Sequence, residues 1–405
     1  MKPKKKMLSD SVWSIAGLVL MNVMLQFAVY PFWERRSGEA ALGNILYLIS
    51  LMNVFAVSMG VSVNYARLKK SATDNTSNTP YLIILGAATV VAALFGVAIA
   101  TFGGVQMSAL ETVIFAAVVC STMWRYYADV EYKLSLNYKS YFVYYLCISI
   151  GYAIGLGLFW LTEFWTLTLL CGELFGLAFV LLRGKVLRPD QRVDGDGMKD
   201  ALKLVMILLG SEMLSTLIFN ADRILLKAIL GEVAVTEYYL ASLLGKTIAL
   251  LTAPLTGVIV GYLSKYKGDL KAKGMNLISA VAVGAILLAT TACTVGSYII
   301  IPVLYPDQFT EVAKYFIMAN LAQVTFFVGS VITVVLLRFA NSRYQMYITA
   351  IYAVTFVCVC VPFALEWGLS GFCVGLALTC FARLLITVFL GYFSIFKNKK
   401  RVSEV

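Results

Sequence analysis

The stretch Tyr81–Gly103, YLIILGAATVVAALFGVAIATFG, decides the fold. It contains no charged residue and no polar stripe, whereas a helix of this length in a soluble core would keep a polar face. Around 20 apolar residues cross the hydrocarbon core of a bilayer as a helix. The stretch therefore predicts a membrane-spanning helix, and a second uncharged run, Leu277–Val295, predicts another.

Composition extends this conclusion to the whole chain. The 405 residues are 60% hydrophobic and 14% charged, with a mean hydropathy of +0.83, whereas soluble domains carry roughly 25% charged residues. We predict an all-α, polytopic membrane protein with about twelve transmembrane helices. The predicted spans are Leu8–Phe32, Ala41–Ala66, Tyr81–Gly103, Leu110–Val130, Tyr141–Leu161, Phe164–Leu182, Ala201–Ala221, Val235–Leu263, Leu277–Val303, Val312–Leu337, Met346–Leu365 and Leu369–Phe396. Pro254 is the expected kink in the eighth span.

Basic residues mark one side of this arrangement. They concentrate at the start of the chain, in alternate loops such as Arg67–Lys70 and Arg183–Arg192, and in the tail Lys397–Arg401. By the positive-inside rule both termini are cytoplasmic, so we predict a multi-pass protein of the cytoplasmic (inner) membrane. Topology accounts for the net charge of +11, and no nucleic-acid partner is inferred from it.

Two segments of the chain are similar to each other. SGEAALGNILYLISL begins at Ser37 and LGEVAVTEYYLASLL begins at Leu230, and an alignment without gaps matches Gly38-Glu39 with Gly231-Glu232. Each segment joins the first and second spans of its half. This equivalent place predicts a parallel six-plus-six repeat.

The repeat predicts the domain organisation. Residues 1–183 would form an N-terminal six-helix bundle, residues 184–200 a cytoplasmic linker, and residues 201–405 a C-terminal six-helix bundle. The bundles would face each other across a central cleft, because transporters built from repeats bind substrate between the repeats.

The first and seventh spans both end in a charged segment. These segments contain Glu34, Arg35 and Arg36 in the first half, and Asp222, Arg223 and Lys227 in the second. Basic residues on the outer side oppose the usual charge bias, so the four cations are candidate substrate-binding residues. Helical spacing places Arg223 and Lys227 on one face and Asp222 on another, where Asp222 would serve helix packing or offset neighbouring charge. The alternative is an interfacial anchor, with the cations on lipid phosphates.

Four further ionisable residues fall near the middle of predicted spans: Glu173, Glu212, Lys246 and Arg383. Such positions are costly in a bilayer and face a cavity or a partner. Lys246 and Arg383 are therefore candidate substrate-binding residues, and Glu173, Glu212 and Asp222 are candidates for ion coupling or charge pairing. An equally weighted interpretation is that Glu173 or Glu212 neutralises Lys246 or Arg383. We expect Arg125, near the cytoplasmic end of its span, to reach the interface.

Three stretches carry a resemblance to a known family. Asn220–Leu255, NADRILLKAILGEVAVTEYYLASLLGKTIALLTAPL, resembles the seventh-helix exit of the Wzx-type polysaccharide flippases, in the multidrug/oligosaccharidyl-lipid/polysaccharide exporter superfamily. SGEAALGNILYLISLMN is similar to the matching element of the first half. Arg125–Tyr145, RYYADVEYKLSLNYKSYFVYY, is similar to the loop between spans four and five.

The resemblance implies a function. Such proteins move a lipid-linked oligosaccharide, normally linked to undecaprenyl pyrophosphate, to the outer leaflet for surface polysaccharides such as O-antigen, capsule or lipopolysaccharide. Basic side chains in a water-filled cleft would hold the diphosphate, since arginine grips phosphate oxygens in a bidentate way. Membrane lipids and a polysaccharide polymerase are the other expected partners. No bond is made or broken, so no catalytic residue, cofactor or metal is expected.

Two other functions stay open. A multidrug antiporter of the same superfamily would use Glu173, Glu212 and Asp222 for cation exchange, although Lys246 and Arg383 balance these acids and fit an anionic substrate better. A membrane-embedded polysaccharide polymerase or an acyltransferase is the other, although the chain has no long external loop and no histidine for a catalytic role. No GxxxxGK[ST] motif occurs, which excludes the usual phosphate-binding loop for ATP hydrolysis.

Overall fold

The computed structural model describes residues 3–71, 77–190, 195–249, 272–339 and 343–403, and these residues are helical apart from short connections, with no β-strand among them. The prediction of an all-α fold is confirmed. The chain divides into two compact units, Met1–Ile224 and Leu225–Val405, here called the N-terminal and C-terminal units. The linker and bundle bounds expected from the sequence, 184–200 in particular, stay predictions.

The helices of the N-terminal unit follow the predicted spans. They are α1 (Pro3–Met24), α2 (Tyr30–Ser37), α3 (Glu39–Ser71), α4 (Thr79–Phe102), α5 (Ala109–Ala128), α6 (Val130–Ser135), α7 (Tyr138–Thr162), α8 (Trp165–Arg183) and α9 (Gly195–Leu230). One π-helical turn, Leu25–Val29, joins α1 to α2. The Ser108 hydroxyl accepts the Glu111 N–H (3.2 Å) and caps α5, and Asn137 caps α7 in the same way. Helix α9 continues past Ile224 into the C-terminal unit.

The C-terminal unit continues this pattern. Its helices are α10 (Glu232–Ala249), α11 (Ala272–Leu304), α12 (Phe309–Val312), α13 (Phe316–Phe339), α14 (Arg343–Thr355) and α15 (Val361–Ser403). A π-helical turn, Phe356–Cys360, joins α14 to α15. The backbone leaves the helical region at Trp367 and at Gly368, where φ is +59°. This break separates the two spans predicted at the end of the chain.

Nine helical stretches of the described residues are long and apolar enough to cross a membrane. The stretch Thr79–Phe102 agrees with the predicted span Tyr81–Gly103, and Tyr344–Ile395 covers the last two predicted spans except for the final residue, Phe396. Helix α5 occupies the predicted fourth span, and α10 forms the described start of the eighth. The rest of the eighth span, with Pro254, lies outside the described residues. The chain is a multi-pass membrane protein.

The two aligned glycines have the same backbone conformation. Gly38 separates α2 from α3 and Gly231 separates α9 from α10, and φ is +87° at both. With ψ at 169°, Gly38 lies in a region that side chains other than glycine occupy only with strain. The match at equivalent turns agrees with the predicted repeat, while the twofold relation between the halves stays a prediction.

Replacement of Gly38 by alanine should destabilise the protein by about 1–3 kcal/mol, because the backbone there favours glycine while no neighbour blocks a Cβ. Gly86→Ala is the matched control: Gly86 lies inside α4, also with no neighbour near its Cβ position, and this change should be neutral or stabilising by about 0.4–1 kcal/mol. Thermal unfolding of the purified variants in detergent measures both. Equal melting temperatures for the two would contradict this account of the turn.

Small residues bring α7 and α8 into close contact. A Cβ at Gly155 would lie 2.5 Å from the Thr168 Cα, and one at Gly151 would lie 2.6 Å from the Cys171 carbonyl oxygen. The hydroxyl of Thr168 donates to the Gly155 carbonyl across this contact (3.2 Å). Close backbone packing of this kind stabilises helix pairs in lipid, where no hydrophobic effect drives helices together.

The connection that follows α8 is fastened to the N-terminal unit. Glu131 Oε2 accepts the backbone N–H groups of residues 185–186, both at 2.8 Å. Asp190 Oδ1 accepts the Asn78 N–H (2.8 Å) and the Ser77 hydroxyl at the start of α4. The carboxylate therefore caps α4 from a distant part of the sequence.

The Asp190 contact should depend on pH in the acid range. Desolvation acts to raise the pKa of Asp190, but the hydrogen bonds from Ser77 and Asn78 outweigh it and hold the pKa below its ordinary value. A lowered pKa contributes stability above about pH 3.9, and this contribution is lost as the pH falls through the folded-state value. Asp190→Asn should therefore speed amide hydrogen exchange in the first turn of α4 at neutral pH and remove its acid dependence.

A matched control for that experiment is Asp200→Asn. Asp200 forms an exposed ion pair with Lys70 (3.4 Å), and exposed pairs contribute at most about 1 kcal/mol. Exchange at α4 should stay unchanged in this variant. Unchanged exchange in the Asp190 variant as well would show that the connection is held by other contacts.

Candidate functional site

The Arg125 and Glu173 side chains form a buried ion pair inside the N-terminal unit. Arg125 Nε donates to Glu173 Oε2 between α5 and α8, and the two residues are 5% and 3% exposed. The Arg125 guanidinium lies 4.2 Å from the ring centroid of Tyr126, and the Tyr144 hydroxyl donates to the Arg125 carbonyl (3.1 Å). The pair is therefore enclosed by aromatic rings.

Two sequence expectations are wrong at this pair. Arg125 does not reach the interface, because α8 carries Glu173 to the same depth and burial against a carboxylate costs less than burial alone. Glu173 does not neutralise Lys246 or Arg383, since Arg125 occupies its carboxylate. An ion pair this well buried indicates a structural role for both residues.

Arg36 and Arg35 follow the first span at an exposed site. Arg36 Nη2 lies 3.1 Å from Glu163 Oε1, and its guanidinium lies 5.2 Å from the Trp160 ring centroid. Arg35 is exposed, whereas the preceding Glu34 is buried. Of the two candidate cations, Arg36 thus shares its charge with a carboxylate from the end of α7.

Asp222 and Arg223 lie near the start of α2. Asp222 is buried, and its Oδ1 accepts the Arg223 N–H (2.8 Å). The Arg223 guanidinium interacts electrostatically with the Tyr30 hydroxyl. The seventh-span exit is therefore close to the first-span exit within the N-terminal unit.

Lys227 forms an ion pair across the Gly231 turn. Its Nζ lies 2.6 Å from Glu232 Oε2, and the two side chains are 16% and 39% exposed. Lys227 and Arg223 were predicted to form one basic edge, with no partner for Lys227. The structure gives the Lys227 charge a carboxylate partner, Glu232.

Glu212 lies partly buried in α9. Its backbone carbonyl accepts the Thr216 hydroxyl (2.8 Å), and its carboxylate interacts electrostatically with Tyr65. Within the described residues Glu212 forms no ion pair. The coupling role stays a prediction, and the expected neutralisation of a cation by Glu212 is not observed.

Lys246 belongs to a buried polar cluster of the C-terminal unit. Its Nζ lies 5.5 Å from the ring centroid of Tyr238, whose hydroxyl accepts Gln323 Nε2 (2.7 Å). One helical turn away, Asn320 Oδ1 accepts the Gly245 N–H (2.9 Å), and Asn320 Nδ2 donates to Ser297 (3.2 Å). The cluster joins α10, α11 and α13 through polar contacts at membrane depth.

The sequence analysis missed the uncharged members of this cluster. Asn320 and Gln323 stand in the run MANLAQVTFF, where two amides three residues apart interrupt an apolar span. Buried amides in a membrane helix are costly unless they find a partner, so this spacing was a usable signal.

Arg383 is partly buried on α15 and binds α13. Its Nη1 donates to the Phe326 carbonyl (3.0 Å) and to the Ser330 hydroxyl (3.1 Å). The guanidinium lies 4.3 Å from the Phe326 ring centroid and 5.5 Å from that of Tyr352. No carboxylate contacts it within the described residues.

Comparisons with solved structures show where this fold occurs in known proteins. An inward-facing multidrug resistance MATE family transporter of the MOP superfamily is similar with a TM-score of 0.71 at 13% identity, over 96% of this chain and 99% of that one. The lipid II flippase MurJ, in an inward closed conformation, gives 0.70 at 12% identity, over 93% and 87%. The Vibrio cholerae MATE transporter VcmN, in the bent form, gives 0.63 at 11% identity, over 97% of both chains. The chain has the fold of these membrane transporters and flippases.

The family follows from the sequence itself. Residues 41–314 match the family described as polysaccharide biosynthesis protein. The chain belongs to this family. No protein of curated function matches it in sequence.

Proposed function

We propose that the protein is a flippase that moves a lipid-linked oligosaccharide, joined to undecaprenyl diphosphate, across the cytoplasmic membrane for cell-surface polysaccharide synthesis. The family match over residues 41–314 is the observation that carries this proposal. The likeness of the fold to the lipid II flippase supports it. Both termini would be cytoplasmic, in agreement with the basic residues on that side.

The charges of the interior fit an anionic substrate. The Glu173 charge is neutralised by its ion pair with Arg125. Arg383 contacts no carboxylate within the described residues. Arg35, Arg36, Arg223, Lys227, Lys246 and Arg383 remain the proposed substrate-binding cations. Among the outer ones, Arg36 and Lys227 hold ion pairs with Glu163 and Glu232.

A deletion strain tests the proposed function. Loss of the protein should leave the completed oligosaccharide-lipid on the cytoplasmic face and remove the surface glycan, and a plasmid copy should restore both. Extraction and mass spectrometry of the lipid-linked intermediates, with antibody labelling of the surface glycan, measure the two effects. A normal surface glycan in the deletion strain would refute the proposal.

A cation-coupled multidrug antiporter is the second candidate, because the fold is also that of MATE transporters. Glu212 would then be a candidate coupling residue, since it forms no ion pair within the described residues. Increased drug susceptibility of the deletion strain, together with a normal surface glycan, would favour this function instead.

A further inference from the structure

Arg383 is held in place by neutral groups. One nitrogen, Nη1, donates to both the Phe326 carbonyl and the Ser330 hydroxyl of α13. Two aromatic rings flank the guanidinium. An arginine has five N–H donors in a planar fork, so these contacts fix the orientation of the side chain without neutralising it or using all of its donors.

Arg125 is a structural arginine of the same protein with which Arg383 can be compared. It is buried against the Glu173 carboxylate, and its charge is compensated within the protein. Arg383 is partly exposed and meets no carboxylate in the described part of the chain. A charged side chain inside a bilayer is costly and marks a functional site unless it is paired. The difference between the two arginines indicates that Arg383, unlike Arg125, is not compensated by a carboxylate within the described residues.

The position of Arg383 on α15 excludes the lipid-facing side. Large apolar residues at Phe381, Leu385 and Phe389 form the exposed stripe of the helix. Thr379 and Thr387 are buried, four residues before and after Arg383, and so lie on its face of the helix. Arg383 therefore belongs to the hydroxyl-lined face, and the acyl chains of the bilayer meet the other face.

The depth of Arg383 excludes ordinary lipid headgroups. Along the helix, Arg383 is about 22 Å from the break at Gly368 and about 21 Å from Lys397, the first basic residue of the tail. The hydrocarbon core is about 30 Å thick, so Arg383 lies near its middle. The headgroups of the surrounding lipids lie at the two surfaces of this core, about 15 Å from its middle.

Lys246 lies at a similar depth in the same unit. It is about 21 Å along α10 from Glu232. A row of aromatic rings connects the two cations. Lys246 lies over the Tyr238 ring, whose centroid is 5.3 Å from that of Phe372, and the Phe372 centroid is 6.3 Å from that of Phe356. Phe356 contacts Tyr352, and the Arg383 guanidinium lies over the Tyr352 ring. These rings are buried, so they position the cations rather than present a surface for sugars.

We infer that the Arg383 guanidinium is an anion subsite at mid-membrane, which binds a phosphate group of a prenyl-diphosphate-linked substrate during its passage. The inference rests on the proposed function and assigns the diphosphate to one residue. Phe326 and Ser330 orient the fork, and the remaining N–H donors bind phosphate oxygens.

The test is lipid binding by the purified full-length protein, followed by native mass spectrometry. The probes are undecaprenyl diphosphate, the uncharged undecaprenol, and phosphatidylglycerol as a source of ordinary headgroup phosphate. The wild type should bind the diphosphate more tightly than undecaprenol. Arg383→Gln should lower the affinity for the diphosphate by about 10- to 100-fold and leave the affinity for undecaprenol unchanged. Arg383→Lys keeps the charge but loses the planar fork of N–H donors. Its affinity for the diphosphate should lie between those of the wild type and Arg383→Gln.

Ser330→Ala is the milder comparison, because it removes one contact that orients Arg383 and retains the charge. It should weaken the preference for the diphosphate less than Arg383→Gln does. Should Arg383→Gln fail to fold, Arg383→Lys with an unchanged melting temperature carries the test.

Three results would overturn the inference. If Arg383→Gln keeps the wild-type preference for the diphosphate, the subsite is wrong and the proposed function stands. If the variant loses the diphosphate and undecaprenol equally, Arg383 is a structural clamp between α13 and α15. If the wild type shows no preference, or if phosphatidylglycerol displaces the diphosphate equally well, the substrate class itself is wrong.

Discussion

Replacing Glu173 with alanine should destabilise the N-terminal unit by about 3–5 kcal/mol. The change leaves the Arg125 guanidinium buried at 5% exposure without its carboxylate. The enclosing rings of Tyr126 and Tyr144 give no compensating negative charge. Thermal or denaturant unfolding of the purified protein in detergent measures the loss.

A second variant separates pairing from packing. Replacing Arg125 and Glu173 together with leucine removes both charges, and such replacements of buried pairs are neutral or stabilising in other proteins. The double variant should therefore recover most of the stability lost in Glu173→Ala, which gives a large coupling energy in the double-mutant cycle. Additive losses would show that the two side chains act independently. Normal glycan export by the stable double variant would confirm that the pair is structural.

Replacing Arg223 with alanine should strongly impair export. We expect surface glycan to fall by about 10- to 100-fold at equal protein abundance, as for a lost charge-assisted contact to phosphate. Arg223→Lys should also impair export, because lysine cannot bind phosphate in a bidentate way. Quantitative labelling of the surface glycan in complemented deletion cells measures both variants.

Lys227→Ala serves as the comparison for Arg223. The Lys227 charge is already bound to Glu232 at 2.6 Å, so its loss should reduce export less than the loss of Arg223 does. Glu232→Gln releases Lys227 from that pair and tests whether the freed cation changes export. Full export by both Arg223 variants would remove this residue from the mechanism and leave an interfacial anchor.

Hydropathy predicted the helices well because a bilayer imposes a simple requirement. Every backbone polar group in the membrane needs an internal partner, so a run such as Tyr81–Gly103 has one conformation available, and α4 covers nearly the same residues. The aligned glycines were also informative, because a positive φ leaves few other choices at Gly38 and Gly231.

The partners of the charges were not predictable in the same way. Glu173 and Arg125 are 48 positions apart, and their contact depends on how α5 and α8 are rotated about their own axes. These spans are apolar on several sides, so their hydropathy does not define that rotation. Lys227 and Glu232 are five residues apart, outside the spacing of ion pairs within one helix. The turn at Gly231 brings them together, and the backbone conformation of that turn is seen only in the structure.

The fastening of residues 184–190 has a consequence for biosynthesis. The groups that bind this segment, on Asn78 and Glu131, all precede it in the chain. Translation proceeds at about 5–20 residues per second, so these contacts can form on the order of ten seconds before the last helix leaves the ribosome. The nascent protein can therefore fasten the connection after α8 to its first half while the helices of the second half are still being inserted.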